Sequence, residues 1–205
     1  MTNAAAGEKA AVRGPGRPRS EQAQRAILES TLVMIGESGL AGLSIEAVAA
    51  RAGVGKATIY RRWESKDELI LAALGTMTPP GSPPDTGSFE GDLVALSQAQ
   101  VARLSGSVLP MVAPRALAEA MSDAELHARV VECMVLPIRA VIAELVRRAI
   151  ERGEFAPDTQ VDRAVDMIHG AVIYRIMLSR GDLQAQKRLV PEIARTVGDG
   201  LRPRA

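Results

Sequence analysis

Apolar residues along this chain recur at intervals of three and four, the spacing of one helical face, and nowhere alternate as a strand would. Ile27, Leu28, Thr31, Leu32 and Ile35 predict a first helix running from a Ser20 cap, with Glu21 in its first turn, to Ser38, where Gly39 supplies a left-handed end. Ile45, Val48, Ala49 and Ala52 predict a short second helix capped by Ser44, with Glu46 near its positive end. Gly53-Val54-Gly55 reads as a tight turn, and Lys56 to Trp63 as a third short helix. Ser65 and Glu68 form a capping-box pattern that starts a fourth helix carrying Leu69, Ile70, Ala73 and Leu74.

Residues 78–88, TPPGSPPDTGS, hold four prolines and two glycines, so the helical pattern breaks there at a boundary or an ordered elbow. Beyond it the pattern predicts helices at Phe89 to Ser105, Pro110 to Met121, Asp123 to Arg152, Thr159 to Ser179 and Gln184 to Val197. Pro137 falls inside the third of these and predicts a kink or a split. The whole is expected to be all-α. A basic arm at 1–19 precedes a helix-turn-helix domain at 20–75, and a helical domain at 76–205 follows.

Composition narrows the classes. Apolar residues make up 47% and charged residues 24% of the 205, which is a globular balance, and only five aromatics occur. The net charge is +1, but the first 25 residues carry five Lys or Arg against two Glu, so the positive charge is concentrated at one end. The single cysteine, Cys133, allows no internal disulfide. No apolar run approaches the roughly 20 residues of a membrane helix, and the first 20 residues have no signal-peptide-like apolar stretch. A soluble, cytoplasmic chain is expected, with no membrane partner and no cofactor.

The segment 44–63, SIEAVAARAGVGKATIYRRW, carries the sharpest chemistry. Two short helices joined by a Gly-bearing turn are the pattern of a helix-turn-helix. Ala47, Ala49 and Ala52 are small enough for a close helix crossing, Gly53 is free to take positive φ, and Val54 follows as an apolar plug. Ile59 marks the buried side of the second helix; Lys56, Thr58, Tyr60, Arg61 and Arg62 mark a polar side suited to the major groove. A cationic cluster on a short helix is by itself most often a solvated face. The ordered string Ala49-x-x-Ala52-Gly53-Val54-x-Lys56-x-Thr58-Ile59-Tyr60, followed by Trp63-x-Ser65-Lys66-x-x-Leu69, resembles the TetR family of regulators over about residues 20 to 75.

That resemblance implies a homodimeric, sequence-specific DNA-binding regulator, a repressor released from a palindromic operator by a small molecule. It places Lys56, Ala57, Thr58 and Arg61 toward the groove, and Thr58, Tyr60 and Lys66 on phosphates, with Ser44 and Arg62 also among the DNA-contacting set. Gly55 stands where the family often has Ser, Trp63 where Phe is usual, and Arg62 where Tyr or His is common, so base preference does not carry over. In the arm, Gly16-Arg17-Pro18-Arg19 is a stiff basic element, similar to the core of an AT-hook, and Arg17 and Arg19 are candidates for the minor groove.

The C-terminal part is less explicit. Residues 164–178 are apolar nearly all round, so a second copy is one natural cover, with Leu189, Val190, Ile193 and Val197 on the neighbouring helix. Leu104, Met111, Met134 and Ile138, with His169 or Tyr174 as a polar handle, are candidates to line a pocket for a largely apolar effector. Enzyme readings fail on the residues. Gly53-Val54-Gly55-Lys56 looks like the end of a P-loop, but Ala50 and Ala57 occupy the positions that need Gly and Ser or Thr. Cys133 and His127, six apart, would not face each other on one helix, and no His and Cys cluster suits a metal. A DNA-binding protein without an effector is the remaining alternative.

Overall fold

A computed structural model describes residues 17–77, 82–104, 109–179 and 183–203, with backbone alone at 17–19, 104, 109–111 and 183–186. The described residues form helices and turns with no strand. The helices are α1 (Arg17–Ser38), α2 (Ile45–Ala52), α3 (Lys56–Tyr60), α4 (Lys66–Gly75), α5 (Phe89–Leu104), α6 (Leu109–Ala120), α7 (Ala124–Val130), α8 (Leu136–Glu151), α9 (Val161–Leu178) and α10 (Leu183–Leu201).

The helix ends follow their caps. Gly39 takes φ +79° and its N–H donates to Ile35 O, closing α1. Ser44 Oγ accepts from Ala47 N at 3.1 Å, Ser65 Oγ from Glu68 N at 3.1 Å, and Asp123 Oδ1 from Glu125 N and Leu126 N at 3.0 Å each. The Glu68 carboxylate reaches back to Glu64 N, one residue before the capping serine. Two expectations are corrected. Ser20 does not cap α1: the helix opens earlier, at Arg17, because Pro18 is tolerated in a first turn where its missing N–H costs nothing. The third helix stops at Tyr60 rather than Trp63; Arg62 N and Trp63 N both donate to Ile59 O, so the backbone tightens into a turn before the Ser65 cap.

The residues 124–151 form one rod with a fault in it. A wider, π-type turn at Val131–Val135 joins α7 to α8. Pro137 explains it: the ring has no N–H and would press on the carbonyl of Cys133, and widening the preceding turn relieves both problems.

Packing divides the chain differently from its linear order. The first core gathers Ile27, Leu32 and Ile35 of α1, Val48 and Ala49 of α2, Ile59 of α3 and Leu69, Ile70 and Leu74 of α4, and it also takes in Val112, Ala116 and Ala120 of α6 and Val130 of α7. The second core is built by α5, α8, α9 and α10, with Phe89, Leu93, Leu145, Val146, Phe155, Ile168 and Val190. The chain therefore enters the second core with α5, returns to the first for α6 and α7, and crosses back through the π-type turn. The Pro-rich elbow is tied to the second core where it is described. Asp92, fully buried, accepts from Thr86 Oγ1 at 2.8 Å and from Arg152 at 3.2 Å, and Arg148 donates to Pro84 O at 3.2 Å. Residues 78–81 lie outside the described residues.

Candidate nucleic-acid interface

The α2–turn–α3 unit is held from below. Gly53 takes φ +66°, and Val54 N donates to Ala49 O at 3.0 Å, so the chain reverses within two residues. Ile59 and Val48 are fully buried, and Trp63 is buried beside them. Sinking a side chain the size of Ile59 is worth about 1.5–3 kcal/mol, which fixes how α3 is rotated about its own axis. That rotation leaves Lys56, Ala57, Tyr60 and Arg61 exposed and Thr58 half-buried. Gly55 offers α3 no side-chain cap.

Several of the polar side chains are already partnered. Arg61 donates to Thr58 Oγ1 at 3.1 Å, which braces the guanidinium along the exposed face. Lys56 Nζ lies 2.5 Å from Glu46 Oε1 on α2. The Lys56 hydrogen bond holds the Glu46 carboxyl below the usual range, and its own backbone N–H and the Lys56 charge add to this against slight desolvation. Arg62 is half-buried. It donates to Thr58 O at 3.2 Å and, across to α1, to Ser20 Oγ at 2.7 Å and Ser20 O at 3.2 Å. It thus ties the end of α3 to the start of α1. Lys66, also half-buried, donates to Leu40 O at 3.2 Å. Ser44 Oγ accepts from Ala47 N in the α2 cap, which takes up one of its two acceptor positions.

The structure therefore brings Lys56, Ala57, Thr58, Tyr60 and Arg61 onto one short helix, while Ser44 caps α2 and Lys66 opens α4. Arg17 and Arg19 are in the first turn of α1, but their side chains lie outside the described residues, as does residue 16. Sequence reasoning missed three polar ties: Glu46 to Lys56, Arg62 to Ser20, and Arg115 with Glu119 of α6 to the end of α1. Only the last has a local signal, the four-residue Arg-to-Glu spacing.

The expected pocket residues scatter. Met134 packs against the first core and Ile138 against the second. The side chains of Leu104 and Met111 lie outside the described residues. His169 is buried on α9, whereas Tyr174 is 65% exposed. Five residues apart on one helix, the two point ~140° from each other and do not share a cavity. Burial, with the Arg139 charge adding and Asp166 opposing, lowers the His169 pKa to about 4, so the ring is neutral near pH 7. Four of the exposed large apolar side chains, Met167, Tyr174, Met177 and Leu178, lie together on α9. Among the described residues no group of His, Cys, Asp and Glu is arranged to hold a metal ion, and no helix is long and apolar enough to cross a membrane.

Two family models account for most of the chain. Residues 27–73 match the bacterial regulatory proteins of the tetR family, and residues 83–197, more than half of the chain, match the tetracyclin repressor-like C-terminal domain. The chain belongs to the TetR family. The HTH-type transcriptional regulator YdeS of Bacillus subtilis is 30% identical over 165 residues, covering 80% of this chain and 83% of its own. The DNA-binding transcriptional repressor TetR of Mycobacteroides abscessus is 28% identical over 162 residues, covering 78% and 85%. Among solved structures, the TetR-family regulator SCO0332 superposes with a TM-score of 0.63 at 28% identity, covering 89% of this chain and 100% of that one. The regulator FadR of Bacillus subtilis, solved in complex with stearoyl-CoA, superposes with a TM-score of 0.70 at 19% identity, covering 83% and 96%. The TetR-family chain is thus a helix-turn-helix transcriptional regulator, not an enzyme, with the helical head and helical C-terminal part of its relatives.

Proposed function

We propose that this TetR-family regulator acts as a cytoplasmic homodimeric repressor whose two α3 helices read a palindromic operator. One observation carries the reading: burial of Ile59 leaves Lys56, Ala57, Tyr60 and Arg61 exposed on α3, with Thr58 half-buried beside them. Lys56, Thr58 and Arg61 contact base edges beside Ala57. Thr58, Tyr60, Lys66 and Ser44 reach phosphates. On binding, Lys56 exchanges the Glu46 carboxylate for a base-edge acceptor in the groove. Arg62 serves first as a brace, holding α3 against the root of the basic arm, while Arg17 and Arg19 enter the adjacent minor groove.

A five-residue helix reads few bases, so two-fold pairing is required to build a full site. The apolar face of α9, carrying Met167, Tyr174, Met177 and Leu178, supports pairing there. A small, largely apolar effector binds between the helices of the C-terminal part and releases the operator by favouring another spacing of the heads. That an acyl-CoA occupies the similarly folded FadR supports an extended apolar ligand.

Selection of bound sites from random duplexes tests the proposal; a palindrome with half-sites about one helical turn apart is the expected result. On that operator, Arg61→Ala costs about 1–3 kcal/mol and relaxes preference at one position, and Lys66→Ala weakens all duplexes and lowers the salt slope by about one. Recovery of no preferred sequence overturns the assignment of α3.

A further inference from the structure

The end of α1 and the turn into α2 are gripped from α6, 78 or 79 residues away in sequence. Glu119 Oε2 accepts from Leu40 N at 2.6 Å and from Ala41 N at 3.4 Å. Its other oxygen accepts from Arg115 Nε at 2.7 Å, and the same guanidinium donates to Gly36 O at 3.1 Å and Glu37 O at 3.2 Å. Arg115 thus caps the carbonyl end of α1 while Glu119 takes the amides that follow it. The fit is close: a Cβ on Gly39 would collide with the Glu119 carboxylate, and Gly39 also needs its φ of +79°.

The grip continues toward the proposed DNA surface. The Leu40–Ala41 peptide is held at both ends, its N–H by Glu119 and its C=O by Lys66 Nζ at 3.2 Å. Hydrogen bonds on the two ends of one peptide polarise each other, so loosening one weakens the other. Burial alone would raise the Glu119 pKa, but the hydrogen bonds from Arg115, Leu40 and Ala41 hold the carboxyl below its usual range. An anion in place of a neutral acceptor makes each of these bonds stronger.

From this geometry we infer that Arg115 and Glu119 are positioning residues for operator binding: they fix the α1–α2 elbow, and through its peptide the Lys66 ammonium, in the orientation that suits paired recognition helices. The inference rests on the DNA-binding reading of α3 and Lys66, and it assigns to α6 a part in specificity that no groove contact reveals.

The test uses the full chain, the operator recovered by duplex selection and an unrelated duplex of equal length. Glu119→Ala is expected to weaken operator binding about tenfold, while the unrelated duplex, which loses only the Lys66 phosphate contact, weakens no more than about threefold. Glu119→Gln, which keeps one acceptor oxygen and the side-chain length, falls between the two. Arg115→Ala resembles Glu119→Ala, and the double variant is no worse than about twofold beyond the weaker single, because both act through one network. Hydrogen exchange at Leu40 and Ala41 speeds up in Glu119→Ala, and these two amides report the clasp directly. If exchange there accelerates and the operator-to-unrelated ratio is unchanged, the clasp is structural only and the inference is overturned; Glu119→Gln decides the matter if Glu119→Ala fails to fold. Failure of the unaltered chain to prefer any duplex would instead sink the DNA-binding reading beneath it.

Discussion

The two cores of this chain end their business with the hydrophobic effect at different points. The first, around α1 to α4, closes over itself: Ile27, Ile35, Val48, Ile59, Leu69 and Leu74 are essentially inaccessible, and α6 and α7 complete its wall. The second is well packed on its inner side, with the Phe89 and Phe155 rings 4.6 Å apart, yet it leaves Met167, Tyr174, Met177 and Leu178 facing out from α9. It also buries more chemistry, with Asp92, Ser97 and His169 inside. The proposed reading accounts for the difference: a head that presents a rigid surface is finished within one chain, whereas the exposed α9 face is where a second copy is proposed to complete the other core.

The contrast can be broken most severely at α9. Tyr174→Glu combined with Met177→Glu should dissociate the dimer and lower operator affinity by a factor on the order of a hundred or more, since half a site remains. Sedimentation and operator titration check it; a dimeric double variant would show that the chains pair elsewhere. Next in size, Leu74→Ala opens a cavity in the closed core and should cost about 2–5 kcal/mol in chemical denaturation, with the dimer retained.

Acidification separates the cores without mutation. The folded His169 pKa of about 4 lies below the ordinary value of 6.5, so the unfolded chain binds more protons between them. Stability supplied by the neutral ring is present above pH 6.5 and is lost as the pH falls toward 4, up to about 3 kcal/mol. Denaturation of His169→Gln across that range should show a flatter pH dependence. The smallest effect sharpens the description of the head: Ser65→Ala removes the α4 cap and should cost about 1 kcal/mol, read as a lower melting temperature.

How far the sequence reveals all this depends on the range of each interaction. Ser44, Ser65, Gly39 and Gly53 act on neighbours within a few residues, and their caps and turns were legible. The exposed face of α3 was legible too, because Ile59 has only one way to be buried once the α2–α3 turn is drawn. Arg62 was not: a long guanidinium can reach outward to a groove or back to Ser20, and only the packing of α1 beside α3 decides. The assignment of α6 to the first core was equally hidden, since its apolar stripe would suit either core. The candidate pocket suffered most, because Met134 and Ile138, four apart and apparently on one face, are separated by the fault that Pro137 imposes between the two cores.

The return of α6 and α7 to the head carries a practical consequence for protein engineering. A graft that moves only residues 20–75 onto a different sensor would strip away Val112, Ala116, Ala120 and Val130 and lay bare the hydrophobic flank they cover. A chimera must keep a cover of that kind over the flank, and because α5 lies between these stretches and belongs to the second core, neither the proline-rich elbow nor the π-type turn is by itself a clean seam.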